Sequence, residues 1–223
     1  MHLSDTSLLY SSSNKICTLT INRPTKKNAL TTSLLENFLC TLKAVSEDKN
    51  VSVLVISGSG DVFSSGVDLK EFINSENQAA EMRSKRTDIL RQVLEKVRYF
   101  PVPTVAVING HALGAGAAIA LSTDLALMSD EATIGFPEVA LGIVPKLMAP
   151  ILVDKVGSRL AVELLLTCER LPALDAKSIG LINKVFPAKT LGFEAQSLAS
   201  LLSSLERNIA IDTKLAIKDA SFL

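Results

Sequence analysis

Cys17, Leu19 and Ile21 place every second side chain on one face, so Ile16–Ile21 predicts a strand, paired with residues 8–10 across the serine-rich turn at 11–14. The rhythm then becomes helical. Leu34, Leu35, Phe38, Leu39, Leu42 and Val45 recur at helical intervals behind a Ser33/Glu36 capping-box spacing. Residues 51–56 and Thr104–Ile108 are near-continuous apolar runs, the mark of strands covered on both faces. The first stops at the loop 58–61, and the second at the Asn109-Gly110 turn. Between them Leu90, Val93, Leu94 and Val97 mark a helix that follows a polar segment reaching about Arg86. A helix of small and apolar residues is predicted from Leu113, then a strand over 125–128. Beyond Val144, Ser158 caps a helix through Leu166, Asp175 a short one stopped by Gly180, and Thr190 one through about Leu205, with a short strand over 182–186.

This order of strands and helices is that of a layered α/β protein with right-handed crossovers. With no internal repeat and no linker rich in Pro or Gly, the chain reads as one domain, a core over 1–187 and a helical tail over 188–223. A content of 48% hydrophobic and 21% charged residues is ordinary for an enzyme core. Formal net charge is zero and the basic residues are scattered, which removes the surface a nucleic acid backbone needs. Cys17, Cys40 and Cys168 lie far apart in apolar contexts and read as reduced core thiols, neither metal ligands nor disulfides. A reducing compartment follows: the cytoplasm, with mitochondrion and peroxisome left open. The N-terminus has no basic region followed by an apolar block, and Ser221-Phe222-Leu223 falls short of a peroxisomal tripeptide. Residues 102–121 are apolar enough to raise a membrane span, but Asn109 and His111 interrupt them and their first half is strand-like, so no membrane partner is expected.

Two stretches carry chemistry. At Gly114-Ala115-Gly116 the first turn of a helix can lie very close to a ligand, and its unpaired N–H groups, backed by the helix dipole, suit an oxygen bearing negative charge. The loop from Phe63 to Leu69, with Gly66 at its centre, can turn further N–H groups the same way. Together they offer two backbone donors for one oxyanion hole. Glu138 stands between Phe136-Pro137 and Val139-Ala140-Leu141, and a desolvated carboxylate has a raised pKa and makes a better base. Neither a P-loop nor a dinucleotide fingerprint is completed.

The segments Ile-Asn-Gly-His-Ala-Leu-Gly-Ala-Gly from Ile108, Phe-Ser-Ser-Gly-Val-Asp-Leu from Phe63, Asn-Arg-Pro with Asn-Ala-Leu between Asn22 and Leu30, and Pro-Glu-Val-Ala-Leu-Gly-Ile from Pro137 resemble the enoyl-CoA hydratase/isomerase family, the crotonases. The resemblance runs over about residues 8 to 210. It implies a spiral core of ββα turns with a C-terminal helical region, here shortened, acyl-CoA thioester substrates, and homotrimers or dimers of trimers. It implies no metal and no cofactor beyond the CoA of the substrate. By the same resemblance the N–H groups of Val67 and Ala115 hold the thioester oxygen as an enolate forms. Glu138 moves the proton, with Gly66, Gly114 and Pro137 shaping the site. CoA's adenine end would lie along the backbone of Ser64-Ser65 and Asp68-Leu69, near Lys26 or Lys27.

Hydratases of this pattern carry two glutamates that position a water. Glu138 matches the second, whereas the first falls at Ala118, which cannot move a proton. A positioned acid or base is worth ~10²- to 10⁴-fold, so hydration is expected to be weak. Shifting a double bond needs one base, which takes a proton from C2 of a 3-enoyl thioester and returns it at C4. The chain therefore resembles the single-glutamate Δ3,Δ2-enoyl-CoA isomerases. The alternatives are slow hydration, thioester hydrolysis, decarboxylation, or a catalytically silent acyl-CoA-binding subunit. His111 and the serine side chains are read as structural, and Asp68 as a brace for its loop.

Overall fold

The computed structural model describes residues 6–74 and 80–220, with side chains described over 6–71 and 84–219. Ser221-Phe222-Leu223 and part of the polar segment before Arg86 lie outside the described residues. In chain order the strands and helices are β1 (Leu8–Ser13), β2 (Ile16–Ile21), α1 (Thr32–Glu47), β3 (Val53–Gly58), β4 (Val62–Ser64), α2 (Leu69–Asn74), α3 (Ala80–Arg98), β5 (Thr104–Ile108), β6 (His111–Leu113) and α4 (Ala115–Ser122). They continue with β7 (Leu125–Ser129), β8 (Thr133–Gly135), α5 (Met148–Thr167), β9 (Arg170–Pro172), α6 (Ala173–Ser178), β10 (Lys184–Phe186), α7 (Ala188–Ser204) and α8 (Arg207–Ala220).

The strands form two sheets, ordered β1-β2-β3-β5-β7-β10 and β4-β6-β8-β9. From β2 onward every pairing in the larger sheet is parallel, Ile16 facing Val53, Leu54 facing Thr104 and Val105 facing Leu125. The pairs β3/β4, β5/β6 and β7/β8 each give one strand to each sheet, and each pair is followed by a helix, so the chain advances as a spiral of strand, strand and helix. The repeat lies in topology, with no counterpart in the sequence.

Alternation within the buried strands explains why they read as continuous apolar runs. Leu54, Ile56, Ala106 and Ile108 face the main core with α1, α3 and α4, while Val53, Val55, Val105 and Val107 face the other way. There they meet Leu191, Ala195 and Ala199 of α7, which covers the second face of the sheet. Helix α8 is tied back by Lys214, whose buried Nζ donates to the Val102 carbonyl at 3.0 Å and pairs with Asp124 at 2.5 Å. Asp124 also accepts from the Thr104 N–H and hydroxyl, both at 2.8 Å. No helix among the described residues is long and apolar enough to cross a membrane.

Some details differ from the sequence reading. Thr31, two residues before Ser33, caps α1 by accepting from the Leu34 N–H, and Glu71 accepts the next N–H and hydroxyl, those of Thr32. The turn between β1 and β2 is Asn14-Lys15, both at positive φ, so β1 runs on through the serines. Cys40 is exposed, since it lies off the α1 face that carries Leu34, Leu35, Phe38, Leu42 and Val45. Cys168 is half-buried; Cys17 is fully buried, and burial, with Asp48 adding to it, pushes its thiol up to about 12. Helix α5 begins at Met148 and breaks at Gly157, with Ser158 starting its second half. Asp175 and Thr190 lie inside the first turns of α6 and α7 rather than capping them, since Pro172 and Pro187 hold those positions.

Candidate active site

The loop after β4 is clamped against the turn that precedes α1. The Leu30 N–H donates to the Gly66 carbonyl at 2.8 Å, and the Asp68 N–H donates to the Leu30 carbonyl at 3.0 Å. These two bonds flank Val67 in a parallel bridge with Leu30, so the Val67 N–H itself points away from Leu30. Gly66 sits at φ 91°, and a side-chain carbon on it would lie 2.9 Å from the Leu113 carbonyl oxygen and 3.5 Å from the Ala115 nitrogen. Only glycine lets this loop approach the start of α4 so closely. Among the described residues, neither the Val67 nor the Ala115 N–H is bonded to another protein group.

Gly114 precedes α4 at φ 51° and ψ −123°, a conformation that an L side chain rarely adopts. Its own N–H donates to the Gly135 carbonyl at 2.9 Å, which ties the start of α4 to the end of β8. Two residues after Phe136, whose ring is fully buried, the chain turns at Glu138 into a short 3-10 segment, Val139–Leu141. That turn aims the Glu138 carboxyl at Gly114: Oε1 would lie 3.2 Å from a side-chain carbon placed there. Oε2 is buried and has no hydrogen-bond partner among the described residues. Burial pushes the Glu138 carboxyl above the ordinary glutamate range, and its own backbone N–H offsets this in part. The Glu138 carboxyl thus lies at the start of α4, next to the approach of the Gly66 loop, where the first N–H groups and the positive end of the helix suit an anionic oxygen.

The remaining residues singled out from the sequence differ in exposure and partners. Ser64 is fully buried, and its hydroxyl donates to the Asn28 carbonyl at 2.9 Å. The Ser65 N–H donates to the Lys27 carbonyl at 3.0 Å, which sets Lys26 and Lys27, both exposed, beside the loop. Asp68 pairs with Arg23 at 3.2 Å, and Leu69 is 45% exposed at the start of α2. Pro137 lies next to Gly114, its Cδ 4.0 Å from the point where a side chain there would begin. His111 is exposed, its Nδ1 shared with the Thr133 N–H and hydroxyl. Ala118 is buried inside α4, where its N–H donates to the Gly114 carbonyl. Two clefts, of about 510 and 670 Å³, both reach Ser122 at the other end of α4 from Ala115. Among the described residues no three His, Cys, Asp or Glu side chains gather as a metal would require.

Sequence reasoning gave no role to Asn28 and Arg23. Asn28 is fully buried at φ 53°; its side chain donates to the Ser59 and Val62 carbonyls at 2.9 and 2.6 Å and accepts from the Arg23 N–H at 2.8 Å. The Arg23 guanidinium reaches the Ala29 carbonyl as well as Asp68. The available signal was an asparagine after two lysines and before an apolar pair, a residue type that tolerates the left-handed region.

The family model described as Enoyl-CoA hydratase/isomerase matches residues 11–220. The 2,3-dehydroadipyl-CoA hydratase of Escherichia coli K12 is 34% identical over 197 residues, which cover 88% of this chain and 75% of the relative. The peroxisomal enoyl-CoA delta isomerase 3 of Mus musculus is 35% identical over 203 residues, covering 91% of this chain and 64% of the relative, so the chain spans less than two thirds of that isomerase. Among solved structures, an enoyl-CoA hydratase from Bacillus anthracis superposes with a TM-score of 0.92 at 28% identity, covering 98% of this chain and 84% of its own.

Proposed function

This chain belongs to the enoyl-CoA hydratase/isomerase family and has its crotonase fold, and from that premise we propose that it moves the double bond of 3-enoyl-CoA thioesters to the trans-2 position. The observation that carries the proposal is the single desolvated carboxyl beside the start of α4: Glu138 faces Gly114, and the position of the first hydratase glutamate is Ala118, buried in α4.

In this reading the thioester oxygen lies between the Val67 and Ala115 N–H groups. Glu138 takes the C2 proton, and the electrons move into an enolate that the two donors and the α4 dipole stabilise. The protonated carboxyl then returns its proton at C4 as the double bond reforms between C2 and C3. A raised carboxyl pKa suits both halves of the cycle, because the same group must gain and give up a proton. The relatives include a hydratase and a delta isomerase, and in this reading either chemistry would draw on the same pair of donors. Lys26, Lys27, Ser65, Asp68 and Leu69 are proposed to border the CoA moiety, with no further cofactor. Val162, Leu166, Leu174 and Phe193, 57% to 73% exposed on α5, α6 and α7, support self-association, with a homotrimer or paired trimers as the proposed state.

Turnover of 3-hexenoyl-CoA against crotonyl-CoA tests the reaction. Isomerisation is expected to exceed hydration by about 10²-fold, the smallest effect of one missing acid or base. Faster hydration of crotonyl-CoA would overturn the isomerase assignment, and no turnover of either would favour a binding subunit.

A further inference from the structure

Ser64 touches both of the junctions that supply the backbone donors. Its side chain is fully enclosed, so no substrate can reach it. The hydroxyl donates to the Asn28 carbonyl at 2.9 Å and accepts the Gly66 N–H at 3.2 Å. Asn28 is an immobile anchor for that bond, since its side chain is fixed by the Ser59 and Val62 carbonyls and by the Arg23 N–H. The Gly66 amide is in turn the last one before the peptide that carries the Val67 N–H. On its other side Ser64 backs onto α4: a side-chain carbon on Gly116 would lie 2.6 Å from Ser64 Cβ and 2.8 Å from Oγ. The second residue of α4 therefore rests directly on Ser64.

We propose that Ser64 is a positioning residue for the oxyanion hole, holding the Gly66 amide so that the Val67 N–H stays aligned with the Ala115 N–H across the Ser64–Gly116 contact. The proposal rests on the enolate reading above. Glycine 66 has no side chain to hold its peptide, so the hydroxyl supplies the restraint that sequence at that position cannot. An oxyanion hole works through donors fixed in advance of the reaction, and a donor that swings costs rate without costing ground-state affinity.

The test uses the full chain, 3-hexenoyl-CoA for turnover, and hexanoyl-CoA labelled with carbon-13 at the thioester carbonyl for infrared difference spectra. Donors on the oxygen lower the carbonyl stretch of the bound label. Ser64→Ala, checked for fold by circular dichroism and thermal melting, is expected to lower kcat about 10- to 100-fold while KM stays within about threefold. Its carbonyl band should move part of the way back to the value in free solution. A merely structural role would lower the melting temperature and leave the band of the folded protein in place. Ser64→Cys keeps the volume with a weaker hydrogen-bonding group and should fall between parent and alanine variant; it carries the same test if Ser64→Ala does not accumulate folded. Parental kcat and a parental band in a folded variant would overturn the role of Ser64 alone. A parent that does not lower the stretch of the label would remove the oxyanion hole itself, and the proposal with it.

Discussion

The carboxyl of Glu138 occupies the space that the missing side chain of Gly114 leaves open, its Oε1 3.2 Å from where that side chain would begin. Gly114→Ala is therefore expected to do two kinds of harm. The backbone at φ 51° and ψ −123° is strained for any L residue, costing about 1–3 kcal/mol, and the methyl displaces the base. Displacement by a fraction of an ångström is expected to lower kcat about 10-fold or more. A melt together with steady-state kinetics separates the two, and parental kcat in the alanine variant would mean that the carboxyl does not work from this place.

Glu138→Gln keeps the shape of the side chain and loses the proton acceptor. Turnover of 3-hexenoyl-CoA is expected to fall at least about 10²-fold, with KM nearly unchanged. In the parent, the acid limb of kcat/KM should have its midpoint above the 4.5 of an ordinary glutamate, because burial favours the neutral form and the base must be ionised to act. A midpoint at or below 4.5 would assign that limb to another group.

The same burial makes the ionised base a source of instability. A folded pKa above the unfolded one contributes stability that is fully present below the unfolded value and is lost as pH rises through the folded value. Glutamine undergoes no such loss. The melting temperature of Glu138→Gln should accordingly exceed that of the parent at about pH 8 and converge with it near pH 4, as thermal scans across that range would read out. A difference independent of pH would show that the carboxyl is not desolvated in the free protein.

Ala118→Glu supplies the carboxylate that hydratases of this family carry on the corresponding helix. Position 118 is 3% exposed, so the variant will lose stability, and a folded preparation has to be established first. In folded protein the ratio of hydration to isomerisation is expected to rise about 10-fold or more, measured with crotonyl-CoA and 3-hexenoyl-CoA. An unchanged ratio would mean that the alanine is not what selects the reaction.

Lys214→Met probes the attachment of α8. It removes the bonds to the Val102 carbonyl and to Asp124, although Asp124 keeps its two bonds from Thr104 and part of its hydration. A loss of about 1–3 kcal/mol in urea unfolding is expected. Hydrogen exchange should report the faster opening in α8 and leave the amides of β3 and β5 protected; uniform acceleration would mean that the helix unfolds only with the rest.

Long, uninterrupted patterns were legible in the sequence, and short or shared ones were not. Thr104–Ile108 falls where its continuous apolar run places it and Ile16–Ile21 where its alternation does, because five or six residues suffice to show either pattern. The smaller sheet escaped notice since β4, β6, β8 and β9 have three residues each and include His111, Gly135 and Pro172, which carry no strand signal. Glycines mark Gly66 and Gly114 as places of close approach, and the apolar surroundings of Glu138 mark it as desolvated. What joins these places is invisible in one dimension. Asn28 and Ser64 act through bonds between segments about 36 residues apart, and nothing in their immediate neighbours announces a partner that distant.

The spiral itself has a kinetic consequence. Each inner strand of the larger sheet joins its neighbour in parallel, so a whole crossover must close before any ladder bond forms, and folding by this route is slow. The Val67 donor belongs to one turn, the Ala115 donor to the next, and Glu138 follows the third. Under the proposed mechanism, a chain emerging from the ribosome therefore places both backbone donors before it owns a base to use with them, and it becomes chemically competent only once the third turn has docked.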